Sequence, residues 1–208
     1  MARKSSFGNM VVVLTLITLI AGVLLGYVQK VTHDPIEKAQ KAKQEDAVKQ
    51  VVPEFDNAPI AEQYTVEANG LVLKLFPATK DGERVGTAVE TVSKKGFGGE
   101  ISIMVGFNAD GSIRNYQVLS HNETPGLGSK MSEWFKTDKG AQSVLGKNPG
   151  VDNLTVKKDG GEVDAITAAT ISSRAFLDAI ANAYAAYTNN TDAITGATTQ
   201  KGKEENHE

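Results

Sequence analysis

The pattern of hydrophobic and charged positions sets the first part of the chain apart from the rest. Residues 10–28 are uncharged and mostly apolar, and about 20 such residues cross the hydrocarbon core of a membrane as an α-helix. Residues 29–56 are instead rich in Lys, Glu, Asp and Ala, and Pro35 is well placed to open a helix. The pattern therefore predicts a single transmembrane helix at 10–28, followed by a solvated stalk helix at 29–56.

After the stalk, the hydrophobic pattern changes to the two-residue period of β-strands. Segments rich in β-branched residues predict strands at residues 71–76, 84–92, 100–107 and 112–120. The pairs Asp81-Gly82 and Asp110-Gly111 fall between these segments and are typical of hairpin turns. These features predict an antiparallel sheet.

Helical patterns follow the predicted sheet. Residues 131–135 and 141–145 have the pattern of short helices, and residues 171–187 predict a longer one with Phe176 and Tyr184 on its apolar stripe. Residues 191–208 are polar and charged, which predicts a flexible tail. We therefore expect one folded domain of the α+β class at 57–190, built from an antiparallel sheet with flanking helices.

Composition narrows the range of functions. The formal net charge of -3 gives no concentrated positive surface, so we expect no nucleic-acid binding. Cysteine is absent, which excludes disulfides, iron–sulfur clusters and thiolate-bound metals. We expect His33, His121 and His207 to be structural or solvated residues, and we expect no metal site. Redox chemistry would need another kind of cofactor.

Basic residues indicate the orientation of the span. Arg3 and Lys4 precede it, and Lys and Arg are enriched on the cytoplasmic side of membranes, although Lys30 follows the span. We expect residues 1–9 in the cytoplasm and the domain on the periplasmic or extracytoplasmic side of the cytoplasmic membrane. The alternative is a cleaved signal peptide, but its apolar region has about 7–15 residues and a small-residue cleavage site, and neither fits this sequence.

The segment before the last predicted helix carries the candidate chemistry. Its residues 164–173 read DAITAATISS. Small residues leave the backbone accessible, and a helix N-terminus has free N–H groups that can bind a phosphate. Thr170 lies at this position. On these residues alone, the alternative remains that Thr170, Ser172 or Ser173 merely caps the helix.

The same segment resembles a known modification motif. Residues 164–170, DAITAAT, are similar to Asp-x-x-Ser/Thr-Gly/Ala-Ala-Thr/Ser, the flavinylation motif of FMN-binding domains in two related membrane complexes. These are the Rnf electron-transport complex and the Na⁺-translocating NADH:quinone oxidoreductase. The resemblance implies that a flavin transferase attaches FMN from FAD to Thr170 through a phosphodiester. The other residues that it implies at the cofactor site are Asp164, Thr167, Ala168, Ala169 and Ser172.

Two glycine-rich segments strengthen the resemblance. Residues 96–101 (GFGGEI) and 121–128 (HNETPGLG) are similar to loops of the family, the second of which lies close to the flavin. The residues that this implies as flavin contacts are Glu123, Thr124 and Leu127, and those implied to shape the turn beneath the flavin are Gly126 and Gly128.

Four neighbouring residues stay outside the predicted site. Phe97 and Phe107 are aromatic residues next to strands, which are more often part of a core, and we leave them out. Lys130 and Trp134 follow the second glycine-rich segment, and their roles stay open.

The tail contains a second copy of the motif. Residues 192–198 repeat residues 164–170 with one change, Gly196 in place of Ala168. Thr198 is therefore a candidate for a second covalent FMN. The residues after Thr198 predict no amphipathic helix that would provide a phosphate site, so the alternative is a partial duplication without cofactor.

The resemblance covers most of the chain, and the chain length favours the G subunit of the Rnf complex over the longer C subunit of the quinone oxidoreductase, which remains the alternative. It implies an electron-transfer subunit, not catalytic alone, that assembles with other integral and peripheral subunits. Such a complex couples electron flow between ferredoxin and NAD to Na⁺ or H⁺ translocation. Two further classes stay open, an anchored assembly module with a vestigial motif and a free-standing flavin-dependent reductase.

Overall fold

The structure, a computed structural model, describes the backbone from residue 7 to 201 and the side chains from residue 7 to 189. It divides into two compact units, Met1–Lys43 and Gln44–Glu208. The second unit begins before residue 57, where the sequence predicted the start of the domain.

Helix α1, Phe7–Val51, is long and apolar enough to cross a membrane. Its large hydrophobic side chains between residues 10 and 28 are exposed, as expected of a segment that faces lipid. One helix continues through Pro35, instead of the separate span and stalk helices that the sequence predicted. The helix ends before Val52 because this residue precedes Pro53, and a residue before proline is sterically disfavoured in the helical conformation.

Among the described residues, five antiparallel strands form one sheet in sequential order. The strands are β1 (Tyr64–Ala68), β2 (Leu71–Lys80), β3 (Glu83–Gly96), β4 (Gly99–Asn108) and β5 (Ile113–His121). The four predicted strands are confirmed, and Asp81 and Gly82 form the β2–β3 turn with positive φ angles of 53° and 81°. Strand β1 escaped the sequence analysis because five residues with alternating exposure carry little hydrophobic signal.

Helices cover both faces of this sheet. On one face, Phe176 and Ile180 of helix α3 (Thr170–Lys201) belong to the larger hydrophobic core. On the other face, Val48 and Val51 from the last turns of α1 pack with Met104 of β4. These buried α1 residues explain why the second compact unit begins at Gln44. The predicted α+β class, an antiparallel sheet with flanking helices, is confirmed.

The segment between β5 and α3 is mostly irregular. It contains the short helix α2, Met131–Trp134, which the sequence predicted. The helix predicted at 141–145 is wrong, because its backbone groups bond to distant segments. The N–H of Val144 donates to the carbonyl of Phe135 at 3.0 Å, and the carbonyl of Ala141 accepts from the N–H of Asp164 at 2.8 Å.

Helix α3 positions the end of the motif. It begins at Thr170 and ends at Lys201, whereas the sequence predicted a helix at 171–187. Phe176 anchors its first turns, because its ring stacks on Phe135 with centroids 4.4 Å apart and meets Tyr116 edge-on at 4.8 Å. The predicted second acceptor, Thr198, lies outside the residues whose side chains are described.

Candidate functional site

Thr170 is the first residue of α3, and its neighbours rather than its own side chain stabilise the helix start. The N–H of Ser173 donates to the carbonyl of Ala169 at 3.0 Å, while the Ser173 hydroxyl accepts from the N–H of Ile166 at 2.9 Å. The Thr170 hydroxyl forms no hydrogen bond with any residue whose side chain is described. Among the described residues, the hydroxyls of Thr170, Ser172 and Ser173 accept no hydrogen bond from an N–H group of the first turn of α3. The structure therefore does not show the capping alternative, and the Thr170 hydroxyl stays available.

The first turn of α3 also presents free backbone donors. Among the described residues, no backbone hydrogen bond uses the N–H groups of Thr170, Ile171 or Ser172. Three such groups at a helix N-terminus favour an anion, because they point outward and carry the positive end of the helix dipole. A phosphate joined to the Thr170 oxygen would lie beside these donors.

The residue two positions before Thr170 has an unusual backbone conformation. Ala168 has a φ angle of +61°, one of three positive values among the non-glycine residues described. Such left-handed conformations are costly for residues with a Cβ atom. This explains why the motif permits glycine at this position. It also shows that the chain enters α3 through a left-handed turn at residue 168.

A cavity of about 350 Å³ lies in front of this turn. Its volume falls within the range of about 300–1,000 Å³ that is common for small-molecule sites. The lining residues are Phe97, Glu123, Thr124, Leu127, Gly128, Ala168, Ala169, Thr170, Ile171 and Ser172. The structure thus brings residues of both glycine-rich segments together with the end of the motif, although the resemblance implied a place near the flavin only for the second segment.

Glu123 connects the parts of this cavity. Its side chain is only 5% exposed, and its Oε1 accepts a hydrogen bond from the backbone N–H of Gly98 at 3.1 Å. The hydroxyl of Ser172 donates to its Oε2 at 2.5 Å. The β3–β4 turn, the loop after β5 and the first turn of α3 therefore meet at one carboxylate.

Three large hydrophobic side chains form the open edge of the cavity. Phe97, Leu127 and Ile171, which we call the apolar rim, are 70%, 39% and 48% exposed. Phe97 was left out of the predicted site, yet it lines the cavity, whereas Phe107 lies in the core. The signal that would have found Phe97 is its position between Gly96 and Gly98, in a two-residue hairpin turn that projects from the sheet.

Three residues that the resemblance implied do not line the cavity. Asp164 faces away, since its Oδ2 accepts from the N–H of Ala141 and its Oδ1 lies 2.8 Å from the Nζ of Lys157. The hydrogen bonds from Lys157 and Ala141 hold the pKa of Asp164 below its ordinary value. Thr167 is exposed. Gly126 has a φ angle of +75° and shapes the turn that carries Leu127.

Trp134 and Lys130, whose roles the sequence left open, lie outside the cavity lining. The indole Nε1 of Trp134 donates to the backbone carbonyl of Asp164 at 2.9 Å. Trp134 therefore has a structural role, because it ties helix α2 to the start of the motif. Lys130 ends a short 3₁₀ helix that follows the loop and is exposed.

The lining residues fit FMN better than a reacting substrate. The apolar rim suits a flat aromatic ring, and the free N–H groups at the start of α3 suit a phosphate. Of the described residues that line the cavity, only Glu123 is ionisable, and neighbouring segments engage both of its oxygens. The cavity is therefore equipped to hold a cofactor rather than to perform acid–base catalysis.

Comparisons with known proteins agree with this geometry. A model of the FMN-binding domain family matches residues 96–185. Proteins named as the G subunit of an ion-translocating oxidoreductase complex are similar to most of the chain. The Stutzerimonas stutzeri protein is 35% identical over 77% of this chain and 71% of its own length. The Shewanella loihica protein is 32% identical over 87% and 89%, and the Yersinia pestis protein is 35% identical over 77% and 80%.

Proposed function

The chain belongs to the family of G subunits of ion-translocating oxidoreductase complexes, and on this premise we propose that it carries FMN covalently on Thr170. Family membership confirms the predicted role as an electron-transfer subunit of a membrane complex. The observation that carries the proposal is the position of Thr170, which begins α3 and lines a cavity together with residues of both glycine-rich segments. Thr170 is half-buried, and its hydroxyl forms no hydrogen bond to a described side chain.

Different residues around Thr170 would bind different parts of the cofactor. The N–H groups of Thr170, Ile171 and Ser172 would bind the phosphate, and the apolar rim would hold the isoalloxazine ring away from water. Bound FMN supplies the chemistry, because a flavin accepts and donates electrons singly or in pairs. The chain itself supplies attachment, orientation and a partly desolvated environment, so it needs no catalytic acid or base.

Attachment requires a second protein. An unassisted threonine hydroxyl is a weak nucleophile, and among the described lining residues no free base lies in the cavity to activate Thr170. We propose a separate flavin transferase, with FAD as the flavin donor. A base of the transferase would take the Thr170 hydroxyl proton, the Thr170 oxygen would bond to the flavin-side phosphorus of FAD, and AMP would leave as the pyrophosphate bond breaks. The transferase would reach Thr170 through the open edge of the cavity, where Phe97 and Ile171 are exposed.

Substitution of Thr170 tests the attachment. Full-length protein, co-expressed with a flavin transferase, is compared with Thr170→Ala and Thr170→Ser by intact mass and in-gel flavin fluorescence. We expect loss of FMN from this site in Thr170→Ala and retention in Thr170→Ser, which keeps the hydroxyl. Thr65→Ala, which removes an exposed threonine hydroxyl on β1, outside the motif and the cavity lining, is the matched control and keeps FMN. FMN that stays on the peptide of residue 170 in Thr170→Ala would contradict the proposal.

The same variants distinguish an electron-transfer subunit from an assembly module. In a complex that still assembles, Thr170→Ala should lose electron transfer, because the cofactor and not the fold carries the electrons. Unchanged electron transfer would favour the assembly module with a vestigial motif. Full turnover of the purified chain without partner subunits would instead favour the free-standing reductase.

We also propose that the FMN domain faces away from the cytoplasm, with Arg3 and Lys4 on the cytoplasmic side. The chain contains no cysteine, so single-cysteine variants report sidedness without background. Val151→Cys, at a residue 85% exposed, should react with a membrane-impermeant maleimide in intact spheroplasts, and Ser5→Cys should react only after lysis. The reverse labelling would overturn this orientation.

The partners and the coupled reaction are proposed from the family. The chain would assemble with the other integral and peripheral subunits of an Rnf-type complex. FMN on Thr170 would relay electrons between ferredoxin and NAD within that complex, which moves Na⁺ or H⁺ across the membrane. The test is whether the full chain copurifies with electron-transfer activity between ferredoxin and NAD. The complex that contains Thr170→Ala should lack this activity.

A further inference from the structure

The buried carboxylate of Glu123 is hydrogen-bonded to two other segments of the chain that line the cavity. We propose that Glu123 is a positioning residue, which sets the orientation of the flavin ring by holding together the three segments that carry the apolar rim. This inference rests on the proposed attachment of FMN to Thr170. It differs from the expectation that Glu123 contacts the flavin directly.

The hydrogen bonds of Glu123 act next to the apolar rim. Oε1 accepts from the N–H of Gly98, the residue after Phe97 in the β3–β4 turn. Oε2 accepts from the hydroxyl of Ser172, the residue after Ile171 in α3. The third member of the rim, Leu127, follows Glu123 in the same loop. One side chain therefore fixes the spacing of rim residues that come from three separate parts of the sequence.

Close packing prevents the carboxylate from moving elsewhere. A Cβ atom at Gly128 would lie 2.5 Å from Oε2 of Glu123 and 2.5 Å from Oγ of Ser172. A Cβ atom at Gly96 would lie 2.6 Å from Oε1 of Glu123. The absence of a Cβ atom at Gly96 and Gly128 thus leaves room for this carboxylate. A side chain so enclosed retains one arrangement, which is what positioning requires.

Loss of the carboxylate would loosen the rim without removing the attachment point. Glu123→Ala leaves the Gly98 N–H and the Ser172 hydroxyl without their acceptor, and Ser172 is itself buried. Unpaired buried groups favour arrangements in which they reach water. Thr170 keeps its hydroxyl and its place at the start of α3, so FMN would remain attached while its ring becomes mobile.

The test measures attachment and ring mobility separately. Full-length protein is co-expressed with a flavin transferase, intact mass reports attachment, and time-resolved flavin fluorescence anisotropy reports local motion of the ring. We expect Glu123→Ala to keep its FMN and to increase the population of the mobile ring by about tenfold. The control is Glu67→Ala, at an exposed glutamate on β1, which should match the unmodified sequence in both measurements.

The conservative variant separates positioning from charge. In Glu123→Gln, the amide oxygen can accept from the Gly98 N–H, and the amide N–H can donate to the Ser172 hydroxyl. Glu123→Gln should therefore restore the anisotropy of the unmodified sequence. An anisotropy of Glu123→Gln equal to that of Glu123→Ala would overturn the proposal, because the negative charge and not the pair of hydrogen bonds would then be what matters.

The remaining outcomes distinguish a failure of this inference from a failure of the proposed function. If Glu123→Ala does not fold, Ser172→Ala removes one hydrogen bond of the pair and should increase ring mobility by itself. A fixed ring in Ser172→Ala would overturn the positioning role. FMN attached to Thr170 with the same ring order in Glu123→Ala would overturn the inference and leave the proposed function intact. Absence of FMN from Thr170 in the unmodified sequence would overturn both.

Discussion

The ammonium nitrogen of Lys157 lies 2.8 Å from the carboxylate of Asp164, the first residue of the DAITAAT motif. The second carboxylate oxygen of Asp164 accepts from the N–H of Ala141. Both carboxylate oxygens of Asp164 therefore have partners within the domain. They connect the irregular segment after α2 with the residues that lead into α3. In the folded domain, this carboxylate positions the backbone that leads to Thr170 and does not touch the cavity.

This ion pair should make part of the stability depend on pH. Because its partners lower the pKa of Asp164 below its ordinary value of 3.8, the ionised form is favoured by folding. The stabilisation is complete above that ordinary value and is lost as the pH falls through the lowered pKa. A double-mutant cycle with Asp164→Asn and Lys157→Met, followed by urea unfolding, should give a favourable coupling at about pH 7 that shrinks toward about pH 3. A coupling that stays constant over this range would contradict the prediction.

A second prediction concerns the positive φ angle of Ala168. A left-handed conformation costs a residue with Cβ about 1–2 kcal/mol, whereas glycine adds about 0.4–1 kcal/mol of unfolded-state entropy. Ala168→Gly should therefore increase the free energy of unfolding by about 0.5–1 kcal/mol. The same change at Ala181, exposed within α3, should decrease it by about 1 kcal/mol. Denaturant unfolding measures both, and equal effects at the two positions would show that Ala168 is not strained.

Much of the sheet could be predicted because its signals are local. The β-branched alternation and the Asp81-Gly82 turn determine neighbouring strands with little help from distant residues. The motif and the loop around Glu123 were recognised through their resemblance to a family. The structure adds the distances, since residues 98, 123 and 172 meet only after the sheet and α3 have packed together.

Other features escaped prediction because they depend on long-range contacts. The segment 141–145 has a helical pattern, yet bonds from Phe135 and Asp164 hold it in an irregular conformation. The end of α1 reads as part of a solvated stalk, yet Val51 packs so closely on β4 that a Cβ atom at Gly106 would lie 1.9 Å from its carbonyl oxygen. In the first case tertiary packing overrides a local helical preference, and in the second it buries residues of a segment that the sequence predicted to be solvated.

The exposed ring of Phe97 leads to a third prediction, in which a substitution changes the surroundings of the flavin but not the stability of the domain. Because Phe97 projects from a hairpin turn and is mostly exposed, Phe97→Ser should change the free energy of unfolding by less than about 0.5 kcal/mol. It should nevertheless increase quenching of the flavin fluorescence by acrylamide, because one member of the apolar rim is lost. Val151→Ser, at a similarly exposed apolar residue outside the cavity lining, is the control and should leave the quenching unchanged. Unchanged quenching in Phe97→Ser would remove Phe97 from the cofactor site.

The repeated motif leads to the last prediction, which concerns the number of flavins. Residues 192–198 have Gly196 where the first copy has Ala168, and their backbone lies within helix α3 instead of in a turn that precedes a helix. A transferase that reads only this short segment would modify Thr198 as well as Thr170. Intact mass should then show two FMN additions, one in Thr170→Ala, one in Thr198→Ala, and none in the double variant. A single addition that disappears in Thr170→Ala would mean that attachment also requires the cavity and its rim, and that the second copy is a duplication without cofactor.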